Sequence, residues 1–160
     1  MDQRLVAAQN LFSQQQYQRS NEICDTLLSE GIRQPELLHL KARNCVRFGQ
    51  FAGATEFLHQ SSVLCPTDEK VWLDIGYVQV QLNQIQLAKE AYQNAIRINH
   101  RSTLAYNGLA VIIAHEGNYE TSIELLELAL EINPEDENAR INLSKLVEIG
   151  KSKKESQKRR

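Results

Sequence analysis

The sequence is poor in the residues that staple, break or anchor a chain. Its 160 residues include only three Cys, three Pro and seven Gly. Cys24, Cys45 and Cys65 are odd in number and widely spaced. That excludes a disulfide framework and a Cys-x-x-Cys zinc site, and it suits a reducing compartment. So little Gly and Pro excludes collagen-like and low-complexity organisation. No run approaches the roughly 18 consecutive apolar residues that a membrane-spanning helix requires. The opening residues, MDQRLVAAQNLFSQQQ, lack the basic-then-apolar layout of a secretory signal, so a cytoplasmic location is expected. At 42% hydrophobic and 24% charged, the composition suits one folded domain with a sizeable core.

Charge is unevenly distributed. From Ser102 to Ala139 there are eight acids and no Lys or Arg. The last ten residues, KSKKESQKRR, reverse this with six Lys or Arg and one Glu. Beneath a net charge of −2, residues 1–150 therefore hold 12 basic and 19 acidic side chains. An acidic body repels nucleic acid, so no specific nucleic-acid binding is expected. The tail, 151–160, is expected to be disordered. Attachment to a polyanion or an anionic membrane surface through this tail is an alternative function.

What the sequence does contain is a period of 34. Pro66 and Pro134 lie 68 residues apart, as do Gly49 and Gly117, each Gly followed two residues later by Phe51 or Tyr119. Division into 1–34, 35–68, 69–102 and 103–136 aligns small residues without any insertion. Ala8, Ala42, Gly76 and Ala110 share the eighth place, and Ser20, Ala54, Ala88 and Ser122 the twentieth. Tyr17, Phe51, Ile85 and Tyr119 share the seventeenth, and Cys24, Leu58, Tyr92 and Leu126 the twenty-fourth. Apolar residues recur at helical spacing within each period, as at Ile123, Leu126 and Leu130. Each period is predicted to be a hairpin, helix A near places 2–14 and helix B near places 18–30. A Gly or polar residue near the fifteenth place turns the chain between them. Small columns let two helices cross closely. Leu143, Leu146 and Val147 predict one more helix over 137–150, with Gly150 at its C-cap. It would cap the last hairpin or open a fifth repeat.

The pattern resembles the tetratricopeptide repeat (TPR). That family has an aromatic at the fourth place, Gly or Ala at the eighth, Ala at the twentieth, an aromatic at the twenty-fourth and Pro at the thirty-second. Gly117-Asn118-Tyr119-Glu120 through Glu131-Ile132-Asn133-Pro134 is similar to the second half of such a repeat, and Trp72, Gly76, Ala88, Tyr92 and Ala95 match the third period. Arg4 and Leu38 depart from it at the fourth place, Lys41 stands where an apolar residue is usual, and His100 replaces the Pro. The resemblance implies an all-α fold, a right-handed α-solenoid of TPR helical hairpins with about nine helices. The TPR domain would cover 1–150, with repeats at the four periods and a cap helix at 137–150.

No chemistry of reaction or ligation stands out. His39, His59, His100 and His115 show no ligand spacing, and no Gly-rich phosphate loop is present. The expectation is a protein that is not an enzyme and has no cofactor or metal. Cys24 falls in a core column, whereas Cys65, beside Pro66, is the more exposed thiol. Asn142-Leu143-Ser144 matches a glycosylation sequon but lies on a predicted helix.

The resemblance also implies where a partner sits. The A helices line a concave groove, onto which places 2, 5, 9, 12 and 13 project. His39, Arg43, Arg47, Lys70, Leu73, Tyr77, Leu104, Asn107 and Val111 are taken as the partner-binding residues. Leu73, Tyr77, Val80, Leu104 and Val111 would form an exposed apolar strip, with Tyr77 as its anchor. Arg43, Arg47 and Lys70 place positive charge at one end. The competing expectation is that neighbouring A helices bury part of the strip. The expected partner is another protein, an apolar peptide or helix with an acidic group. The Lys and Asn clamp of chaperone-tail TPR domains is not reproduced: its positions would hold Leu5, Gln9, Leu40, Lys70 and Asp74 in one register, and His39, Arg43, Asp74, Leu104 and Gly108 in another. The implied function is a non-catalytic adaptor, scaffold or chaperone-like module. A bacterial secretion or pilus-assembly component, or the TPR region of a larger enzyme, is an alternative. Self-association through the first hairpin is also open.

Overall fold

The computed structural model describes residues 2–158, with side chains through Gly150. Among the described residues there are nine helices and no strand: α1 (Gln3–Ser13), α2 (Tyr17–Ser29), α3 (Pro35–Arg47), α4 (Phe51–Leu64), α5 (Glu69–Gln81), α6 (Ile85–Ile98), α7 (Thr103–His115), α8 (Tyr119–Ile132) and α9 (Glu137–Lys158). From α3 onward the A helices start every 34 residues, and so do all the B helices from Tyr17. The expected period is thus the period of the elements themselves.

Two local devices set it. The fifteenth place has positive φ in every period: Gln15 at 61°, Gly49 at 70°, Asn83 at 57° and Gly117 at 87°. Each time, the following N–H bonds back to the carbonyl five residues earlier, as Gln16 does to Leu11 at 2.9 Å and Gln50 to Cys45 at 2.9 Å. The fifteenth-place N–H bonds three residues back, a Schellman closure that satisfies two orphan carbonyls. The second device is the cap at the thirty-fourth place. Asp68, Ser102 and Asp136 each accept from a backbone N–H in the first turn of the next A helix. Gln34 makes no side-chain cap, and Pro35 supplies the favoured first helical residue instead.

The chain divides into two compact units, 1–84 and 85–160. The first contains α1–α5 and the second α6–α9, so the two helices of the third period lie in different units. In the first unit, Leu5, Phe12, Cys24, Leu27, Leu37 and Leu40 form one core cluster, and Ala42, Cys45, Ala54, Leu58, Val71 and Val78 another. In the second, Tyr106, Ala110, Leu126, Ala129, Ala139 and Leu146 cluster between α7, α8 and α9. All residues of the eighth, twentieth and twenty-fourth columns are buried. Each fully buried Leu, such as Leu5, Leu27 or Leu58, contributes about 1.5–3 kcal/mol. The seventeenth column is half-buried at Tyr17, Phe51 and Tyr119, but Ile85 is exposed.

The departures from the family pattern are compensated locally. Trp72 Nε1 donates to the Pro66 carbonyl at 2.8 Å, Tyr106 Oη to that of His100 at 3.3 Å, and Arg140 Nε to that of Pro134 at 2.9 Å. In α5, α7 and α9 the fourth place therefore ties the A helix to the carbonyl six residues before it, whatever residue supplies the donor. Leu38 cannot donate, and Arg33 bonds the Ile32 carbonyl instead at 3.0 Å. Arg4 forks onto Asp2 and Glu30, joining the start of α1 to the end of α2. The guanidinium holds both carboxyls below their usual range. Lys41, largely buried, donates to Asn21 at 2.8 Å and pairs with Asp25 above the Phe57 ring.

The last helix corrects one expectation. It does not stop at Gly150 but continues to Lys158. A single Gly costs a helix roughly 1 kcal/mol without ending it, and the Lys, Glu and Gln beyond are good helix formers. The side chains of the basic tail, and residues 159–160, lie outside the described residues, so the tail's expected role does too.

Candidate functional site

Three of the expected groove residues form one stripe on α3. His39, Arg43 and Arg47 follow at four-residue spacing and so face the same side. On α5 the matching stripe is Lys70, Leu73, Asp74 and Tyr77. The two stripes meet in the first unit, where Phe12, Arg43, Val46, Arg47, Asp74 and Tyr77 line an open cleft of about 340 Å³. A neighbouring cleft of about 450 Å³ shares Phe12, Arg43 and Arg47 and adds Tyr17 and Leu40.

The geometry of the cleft is set by aromatic platforms. The Arg43 guanidinium lies 4.4 Å from the centre of the Phe12 ring. That of Arg47 lies 5.8 Å from Phe12 and 5.3 Å from Tyr17. Phe12 and Tyr17 themselves pack edge-on at 5.0 Å. Across the cleft, Tyr77 meets Phe51 edge-on at 6.5 Å while remaining 46% exposed. A ring anchored on one edge and open on the other is suited to contact a partner.

Asp74 modifies the expected charge. Its Oδ2 accepts from His39 Nε2 at 2.7 Å and lies 3.9 Å from Arg43 Nε. The positive end expected from Arg43, Arg47 and Lys70 thus carries a carboxylate of its own. Lys70 is exposed on the first turn of α5 and lines neither cleft, and Leu73 is half-buried.

The remaining expected residues belong to the second unit. Leu104 and Val111 are exposed on α7. Asn107 is half-buried, and its Oδ1 accepts from Asn142 Nδ2 of α9 at 2.8 Å. Val111, His115, Tyr119, Leu126, Lys145 and Ile149 are among the residues lining a cleft of about 350 Å³ between α7, α8 and α9. Sequence reasoning took Asp74 only as a mismatch to the chaperone clamp, and it missed the platform role of Phe12 and Tyr17. One signal was available for the first of these. His39 to Asp74 and Asn107 to Asn142 are both pairs 35 residues apart, joining the fifth place of one period to the sixth of the next.

Of the cysteines, Cys24 and Cys45 are buried and Cys65 is half-buried. Burial pushes the Cys24 thiol up to about 11 and raises that of Cys45 as well. Among the described residues, no three His, Cys, Asp or Glu are grouped to hold a metal ion, and no helix is long and apolar enough to cross a membrane.

Helical hairpins repeated at a fixed period define an all-α solenoid, a class whose stacked repeats present extended binding surfaces. The family model of the tetratricopeptide repeat matches residues 69–100 and 104–136, so the chain contains tetratricopeptide repeats there. Such repeats mediate interaction between proteins. Over 95 residues the chain is 27% identical to the BBSome complex member BBS4 of Bos taurus, a match covering 59% of this chain and 18% of that protein. The chain therefore spans under a fifth of the length of this curated relative. Among solved structures, YrrB, described as a TPR protein with an unusual peptide-binding site, aligns with a TM-score of 0.78 at 18% identity, covering 85% of this chain and 70% of YrrB. The MamA protein aligns with a TM-score of 0.81 at 20% identity, covering 97% of this chain and 85% of MamA. At these identities the two structures bear on the fold alone.

Proposed function

We propose that the chain is a non-catalytic adaptor that holds a peptide or helix of a partner protein against α1, α3 and α5. The observation that carries this reading is the convergence of Arg43, Arg47 and the half-exposed Tyr77 on one open cleft. An apolar segment with one acidic group fits it, the apolar part against Val46 and Tyr77 and the acid toward the guanidiniums. Leu104 and Val111 offer a second apolar strip on α7, and a cytoplasmic setting suits the three free cysteines.

A scaffold role within a larger assembly is a second reading, favoured by the similarity to a member of the BBSome complex. Both are tested by paired pull-downs with wild type and an Arg43→Glu, Tyr77→Ala variant, after circular dichroism shows equal folding. Loss of one or two partners from the variant eluate is expected. Identical eluates would remove the cleft from consideration.

A further inference from the structure

Resting on that adaptor reading, we propose that the cleft of α1, α3 and α5 binds a side-chain carboxylate of an acidic–apolar peptide through Arg47 and Arg43. His39 is the positioning residue that keeps this site open, because it holds Asp74 away from Arg43.

The two arginines are prepared for an anion. A guanidinium held over an aromatic ring by cation–π attraction still has N–H groups to offer a planar, forked contact. Arg43 and Arg47 share the Phe12 ring, itself only 7% exposed and therefore a fixed platform. These ring contacts also restrict the side chains before binding, so less rotamer freedom is lost when the anion arrives. Among the described residues, no carboxylate pairs with Arg47.

Among the described residues, the internal competitor is Asp74. The same oxygen that accepts from His39 at 2.7 Å lies 3.9 Å from Arg43 Nε, beyond hydrogen-bond reach. Two guanidiniums therefore face one carboxylate, and one positive charge is left uncompensated within the cleft. A monoanionic carboxylate matches that balance. A phosphate dianion would bring a second negative charge against Asp74. Beside the guanidiniums, Val46 and the open edge of Tyr77 supply an apolar wall for a neighbouring Leu or Phe of the peptide. Without His39, the nearest cation left to the Asp74 carboxylate is Arg43, and closing the short gap between them would occupy the site from within.

The test is fluorescence polarisation on the full chain with labelled hexapeptide pools. One pool alternates Glu or Asp with Leu or Phe. Gln, Lys or phosphoserine replaces the acid in the others. The acidic pool is expected to bind most tightly and to weaken several-fold between about 0.05 and 0.5 M salt. Arg47→Ala should weaken it roughly ten- to a hundred-fold, and Arg47→Lys should fail to restore it. His39→Ala should also weaken it, Asp74→Asn should tighten it, and the double variant should regain at least wild-type affinity. General damage from losing His39 would not be repaired by a change at Asp74. Equal binding of the acidic and Gln pools overturns the proposal, as does a His39→Ala defect that Asp74→Asn leaves in place. Tighter binding of the phosphoserine pool overturns the choice of a carboxylate. If a pool binds through Tyr77 but ignores Arg47→Ala, the adaptor reading survives and the carboxylate site does not. If no pool binds, both fall.

Discussion

The end of the Tyr92 ring is pressed against the backbone of Gly108. A Cβ placed on Gly108 would lie 2.6 Å from Tyr92 Cζ and 2.8 Å from both Cε atoms. Tyr92 is itself buried, so α6 and α7 approach at this point only because one of them lacks a side chain.

Gly108→Ala is therefore expected to lower stability despite the better helix propensity of Ala. The clash should cost about 1–3 kcal/mol against roughly 1 kcal/mol gained in propensity. Shortening the ring with Tyr92→Leu should reverse the sign of the Gly108→Ala effect, a non-additivity readable from urea midpoints. An unchanged midpoint for Gly108→Ala in the wild-type background would show that the ring moves aside freely.

The four left-handed turns give a second expectation. Gln15 and Asn83 occupy a conformation that Gly49 and Gly117 reach without a Cβ penalty. Gln15→Gly should stabilise the chain by about 0.5–1 kcal/mol, and Asn83→Gly by less, because Asn tolerates this region better. Conversely, Gly117→Ala should cost about 1 kcal/mol although nothing lies within 4 Å of the added Cβ, the penalty being in the backbone alone. A lower urea midpoint for Gln15→Gly would contradict this account.

A third expectation concerns the thiols. The Cys24 thiol, pushed up to about 11 by burial, stays protonated at pH 8, and the Cys45 thiol is raised in the same direction. A thiol-exchange reagent at pH 8 should react promptly with Cys65 and reach the other two only in denaturant. The same shift fixes a pH effect on stability. An unfolded chain loses its thiol protons near pH 8.5, before the folded one does, so stability should fall as pH rises from about 9 toward 11. Prompt reaction of two or three thiols in the native protein would refute the assignment.

The repeat was legible because small residues recur at fixed places, and every residue of the eighth and twentieth columns is buried. Other features were not. Gln15 gives no propensity signal for a left-handed turn, since the six-residue backbone closure imposes it. The fourth place reads as degraded because Arg4 and Leu38 replace its aromatic, whereas Trp72, Tyr106 and Arg140 share a donor at the same reach. In the cleft, the stripe of His39, Arg43 and Arg47 follows from helical spacing alone. The contact with Asp74 does not, because it depends on how far α5 is staggered along α3. Gly150 reads as a stop because Gly is common just past helix ends, but α9 runs through it to Lys158.

The bond from the fourth place to the loop six residues earlier has a consequence for how such a chain can grow. From the third period on, each one carries its own turn, its own cap for the next helix and its own tether to the loop before it. An in-frame duplication of one period would thus arrive with its joints already specified. Selection could then act on the few side chains that face a ligand, leaving the scaffold's connections untouched.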